Sequence, residues 1–117
     1  MYNVFYMVRK GGCFTVNEAY IVSAVRTATG NLGGSLRSVL PEDLLVPVIG
    51  ESIARGGVSG ELLSEVIMGQ TKQSADCPNV ARVASLKAGL PEALSAYTVH
   101  RQCGSGMQAL INAFFQI

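Results

Sequence analysis

The chain contains no tryptophan, a single histidine and only 15% charged residues among its 117. It has no apolar run near the roughly 20 residues that a membrane-spanning helix requires. Its first charges, Arg9 and Lys10, follow the initial apolar stretch, whereas a signal peptide would have them precede it. Nine Lys/Arg stand against eight Asp/Glu, and the cations are scattered without interleaved aromatics. Neither nucleic acid nor a membrane surface is therefore indicated as a partner. The three cysteines, Cys13, Cys77 and Cys103, are odd in number and far apart, which does not suit a disulfide framework. Reduced thiols in a cytoplasmic protein fit that count. No metal is expected, because the pair His100-x-x-Cys103 lacks two further zinc ligands.

What is present is apolar content, 49% of residues, enough for one small domain with a real core. Residues 1–17 differ from the rest, with no acidic side chain, no amphipathic period and a Gly11-Gly12 break. They read as a leader or a disordered extension. Lys10-Gly11-Gly12 can be encoded by a purine tract resembling a ribosome-binding site, and Val16 falls where a GUG start codon could stand. N-terminal mass spectrometry of the native product separates the two readings.

From Glu18 the chain is ordered. Glu18 to Val25 reads as a strand apolar on both faces, hence one buried in a layered domain. Gly30, Gly33 and Gly34 mark a loop that reads as a structural turn, since no Gly-Lys-Ser/Thr follows to make it a phosphate cradle. Pro41-Glu42-Asp43 opens a helix and Gly56-Gly57 stops it, with Leu44, Leu45, Val48, Ile49 and Ile53 as its apolar stripe. A turn or short helix over 59–64 precedes a second buried strand, Glu65 to Gln70. Cys77 reads as a loop thiol. Asn79 caps a helix whose face is Val80, Val83, Ala84 and Ala88, closed by Gly89-Leu90-Pro91. The fold class is therefore α/β, in the order strand, helix, strand, helix, strand, helix.

The third strand and helix meet at a corner, Ala96-Tyr-Thr-Val-His-Arg-Gln-Cys103-Gly-Ser-Gly-Met107. A thiol there gains from the unpaired N–H groups of the new helix, and Arg101 adds positive potential, so the thiolate is favoured. Such a thiolate suits acyl transfer. Position alone supports a nucleophile and a buried structural thiol equally. A third reading overlaps both: Gly104-x-Gly106-x-x-Ala109 matches the dinucleotide-binding fingerprint, after a strand and opening a helix. That fingerprint normally lies in the first βα turn, whereas two strands and two helices come earlier here, and its acidic partner would lie beyond residue 117. The final helix, to Ile117, is apolar enough to be buried all round.

Six segments in order carry a resemblance. They are Ile21-Val-Ser-Ala-Val-Arg-Thr27, Gly33-Gly-Ser-Leu36, Glu65-Val-Ile-Met-Gly69, Ala81-Arg82, Leu86-Lys-Ala-Gly-Leu-Pro91 and Cys103-Gly-Ser-Gly106. Together they resemble the N-terminal part of the thiolase family, the acetyl-CoA acetyltransferases and 3-ketoacyl-CoA thiolases. The resemblance runs over residues 18–117 and implies an incomplete N-terminal thiolase domain with a partial, thiolase-type layered sheet. It implies that Cys103 is the acyl-accepting nucleophile, its backbone N–H serving an oxyanion hole. It also implies acyl-CoA as substrate, no cofactor beyond coenzyme A thioesters, and a homo-oligomer for the full-length family. His100 stands where the family usually has asparagine and reads as structural or surface-facing, not as a general base. Val80 stands where proline is common. The family's Gly-His-Pro and Cys-x-Gly motifs do not occur in these residues. A nucleophile without those partners should turn over little, since such groups act as a unit.

Overall fold

The computed structural model describes residues 3–10, as backbone only, and residues 18–117. Strand β1 (Asn3–Lys10) pairs antiparallel with β2 (Glu18–Arg26), with an irregularity between Phe5 and Met7. Helix α1 (Pro41–Gly56), a short 3-10 turn (Gly60–Leu62) and strand β3 (Glu65–Gly69) follow. Helix α2 (Val80–Lys87), strand β4 (Ser95–Val99) and helix α3 (Ser105–Phe115) complete the chain. Of the segment read as a leader or extension, residues 1–2 and 11–17 lie outside the described residues, as does Cys13.

β3, α2 and β4 form the centre. The two strands are parallel, in register from Glu65 with Ser95 to Gly69 with Val99, and α2 connects them. The pleat divides their side chains between two layers. Val66 and Met68 turn into a core shared with α1 and α2, made of Leu45, Ile49, Cys77, Val80, Ala81, Ala84, Leu90 and Leu94. Gly69, on the opposite face, meets α3. On β4, Ala96 packs on the core and Tyr97 reaches α3, where its hydroxyl accepts from Asn112 at 3.1 Å. Leu45 and Ile49 are fully enclosed. Each such side chain contributes about 1.5–3 kcal/mol by leaving water.

Local chemistry sets the element ends. Pro41 occupies the first turn of α1, where its missing N–H costs nothing, and Gly57 closes the helix in the left-handed region at φ 63°. Asn79 Oδ1 accepts from the Arg82 N–H at 3.2 Å and from the Thr98 hydroxyl at 2.9 Å. Asn79 Nδ2 donates to Ala96 O at 3.0 Å. The cap of α2 is therefore also its attachment to β4. Arg82 adds bonds to Leu94 O and Glu92 O, at 2.8 and 2.7 Å, that fix the loop entering β4. The glycine loop closes on itself through Gly34 N–H to Asn31 O at 2.9 Å and Arg37 N–H to Gly34 O at 3.1 Å.

Five expectations are corrected. The strands make two separate two-stranded sheets, not one. β2 is not buried on both faces: Tyr20, Ile21 and Val22 are exposed and Ser23 is its one buried residue. Apolar content makes a strand fit for burial, but burial needs a covering layer, and α1 is the helix packed on β2. The same reason applies to α3, where Met107, Phe114 and Phe115 are exposed, the last at 79%. The buried face of α2 is Val80, Ala81, Ala84 and Ser85, with Val83 and Ala88 at its margin. Cys77 is a core thiol, only 4% exposed, although it lies in a loop.

Candidate active site

β4 ends at Val99 and α3 begins at Ser105, so five residues make the corner. Gln102 takes φ 46°, the left-handed region, which costs a non-glycine residue about 1–2 kcal/mol. Hydrogen bonds offset that cost. Gly104 N–H donates to Arg101 O at 3.0 Å and Ser105 N–H to Gln102 O at 3.1 Å. The Ser105 hydroxyl, 2% exposed as a residue, accepts from Arg101 N–H at 2.9 Å and donates to Gln102 O at 2.7 Å. From the end of β3, Thr71 Oγ1 donates to the same carbonyl at 3.0 Å. The sheet itself continues one step past β3, with Gln70 N–H donating to Val99 O at 3.0 Å.

Cys103 sits between the left-handed Gln102 and Gly104, the N-cap of α3, and its thiol is exposed. The thiol thus lies one residue before the helix cap. Arg101, expected to add potential at the thiol, instead directs its guanidinium to the Gln108 side chain. Gln108 donates to Asn112 Oδ1 at 2.7 Å, and Asn112 to Tyr97, so this polar chain runs along α3 back to β4. His100 is exposed, and among the described residues no hydrogen bond joins it to Cys103. Two thiols are thereby set apart by access. Cys77 is enclosed, and burial pushes its thiol up from its ordinary value; the Glu42 carboxylate adds to this by its charge and by hydrogen bonding, and Lys87 opposes it.

The structure brings Cys103, Gly104 and Ser105 together and adds two contributors that sequence reasoning passed over. Thr71 is one. Gly69 is the other: a Cβ there would fall onto the backbone of Ser105 and Gly106, so its absence lets the first turn of α3 seat on β3. A Cβ at Gly106 would meet no other part of the chain and one at Gly104 only Arg101 O at 3.4 Å, while Ala109, the third position of the dinucleotide fingerprint, is buried. Among the described residues no helix is long and apolar enough to cross a membrane.

The family description "Thiolase, N-terminal domain" matches residues 19–117. An acetyl-CoA acetyltransferase of Cupriavidus necator is 44% identical over 98 residues, covering 84% of this chain and 25% of that protein. The beta-ketothiolase BktB of the same organism is 41% identical over 97 residues, 82% of this chain and 25% of that protein. The crystal structure of the Bacillus anthracis acetyl-CoA acetyltransferase superposes with a TM-score of 0.80 at 47% identity, covering 82% of this chain and 24% of that one. The chain spans about a quarter of the length of the curated relatives it matches.

Proposed function

This chain belongs to the thiolase family, and on that premise we propose that it carries the acyl-accepting half of an acyl-CoA acyltransferase, with Cys103 as nucleophile. The observation that carries the proposal is the exposure of Cys103 on a tight strand-to-helix corner, in contrast to Cys77, which the core encloses. In the forward half-reaction the Cys103 thiolate attacks the thioester carbonyl of acyl-CoA and a tetrahedral oxyanion forms. Its collapse breaks the bond to the coenzyme A sulfur, which leaves as thiolate and takes up a proton. Acyl-Cys103 remains. In the family's synthetic direction the α-carbanion of acetyl-CoA then attacks the acyl carbonyl, releasing the Cys103 thiolate and a 3-ketoacyl-CoA. Thiolysis is the reverse. The oxyanion role is assigned to the backbone N–H of Cys103. The same proposal includes a cytoplasmic location and homo-oligomeric assembly, both implied by the family, and no cofactor besides coenzyme A thioesters.

For these 117 residues the proposal is confined to acyl capture, because the family's Gly-His-Pro and Cys-x-Gly motifs are not among them. Incubation with acetyl-CoA followed by peptide mapping tests it. The expected adduct is a single acetyl group on Cys103, absent from Cys103→Ala and from Cys77. An unmodified chain, or acetylation spread evenly over the thiols, would defeat the assignment.

A further inference from the structure

We infer, on the reading that Cys103 is the acyl acceptor, that Ser105 and Thr71 are positioning residues that aim its thiol by clamping the carbonyl of Gln102. Three donors converge on that one oxygen: the Thr71 hydroxyl, the Ser105 N–H and the Ser105 hydroxyl. The peptide they hold joins Gln102 to Cys103, so its orientation sets the direction in which the Cα–Cβ bond of Cys103 leaves the backbone. Left to itself Gln102 would leave the left-handed region. Ser105 also holds the other end of the turn, accepting from Arg101 N–H. Ser105 is enclosed, which shields its two hydroxyl bonds at the serine end, whereas the Thr71 bond lies at the surface. Thr71 lies just past the end of β3, 31 residues earlier, and makes the aim of the thiol depend on that segment as well as on the turn. A nucleophile directed at a thioester carbonyl must hold a narrow approach, whereas attack on a small alkyl halide demands less of it.

The test compares Thr71→Val, Thr71→Ser and Ser105→Ala with the unmodified chain, measuring acetylation of Cys103 by acetyl-CoA and its alkylation by iodoacetamide. Loss of one neutral hydrogen bond at the surface predicts acetylation slowed by up to about fivefold in Thr71→Val, and loss of two shielded ones predicts roughly 20-fold in Ser105→Ala. Thr71→Ser restores the rate, and iodoacetamide alkylation stays near its original rate in every variant. Acetylation at the original rate in Thr71→Val overturns the clamp, as does a parallel fall in both reactions that Thr71→Ser does not rescue. Should Ser105→Ala fail to fold, Thr71→Val decides. Should the unmodified chain take no acetyl group, the nucleophile assignment fails, and amide hydrogen exchange judges the clamp by itself. Faster exchange at Arg101 in Ser105→Ala supports it, and unchanged exchange overturns it.

Discussion

Cys77 and Cys103 are the same residue type given opposite access to solvent by their surroundings. Enclosure raises the Cys77 thiol first through lost hydration, then through the nearby Glu42 carboxylate. The folded chain therefore holds that proton more tightly than the unfolded chain. Its contribution to stability is complete below the ordinary thiol range and is lost as pH rises through the folded value. Urea midpoints measured from neutral to alkaline pH should fall more steeply for the unmodified chain than for Cys77→Ala; parallel curves would refute this. Little of the contrast was legible in the sequence. Pro78 and the polar residues before Cys77 mark a loop correctly, but a loop residue becomes a core residue through contacts with α1 and α2 that no local pattern encodes. The strand-to-helix corner that carries Cys103 was legible, because its small followers and preceding strand formers are neighbours in sequence. The clamp on Gln102 was half legible: Ser105 lies two residues after the thiol, while Thr71 comes from beyond the end of β3, 31 residues before Gln102.

Elements with local signals lay where the signals placed them. Pro41, Gly57, Asn79 and Gly89 act within a few residues of themselves, and α1, α2 and their ends follow from them. The seam between β3 and α3 has no such signal beyond an isolated glycine in a strand. At that seam two glycines have opposite roles. Gly69→Ala should destabilise the chain by about 1–3 kcal/mol, because the added methyl group forces α3 off the strand. Gly106→Ala, with open space around its new methyl group and a helical position, should be neutral or stabilising by up to about 1 kcal/mol. Denaturant unfolding of the two variants checks both signs, and an equal cost for the two would contradict the seam.

At the scale of the molecule, the apolar surfaces that the sequence destined for burial are partly open. Tyr20, Ile21 and Val22 on β2, Leu62 beyond α1, and Phe114 and Phe115 at the end of α3 are all exposed. The radius of gyration, 14.6 Å, exceeds the roughly 13.4 Å expected of a compact domain of this length. Exposed apolar side chains such as the adjoining Phe114 and Phe115 rings favour association. Sedimentation velocity should show self-association that decreases when Phe114 and Phe115 are both replaced by serine; an unchanged distribution would exclude α3 as its seat. The parallel β3–β4 ladder has a further consequence, one of timing. Glu65 and Ser95, joined across it by a 2.9 Å side-chain bond, are 30 residues apart, and Thr71 and Gln102 are 31 apart. Both contacts close the same loop, and that loop's entropy is lost once. The turn that carries Cys103 and the β3–β4 ladder therefore share one closure, and on the proposed reading of Cys103 its thiol would be aimed only once β4 has paired with β3.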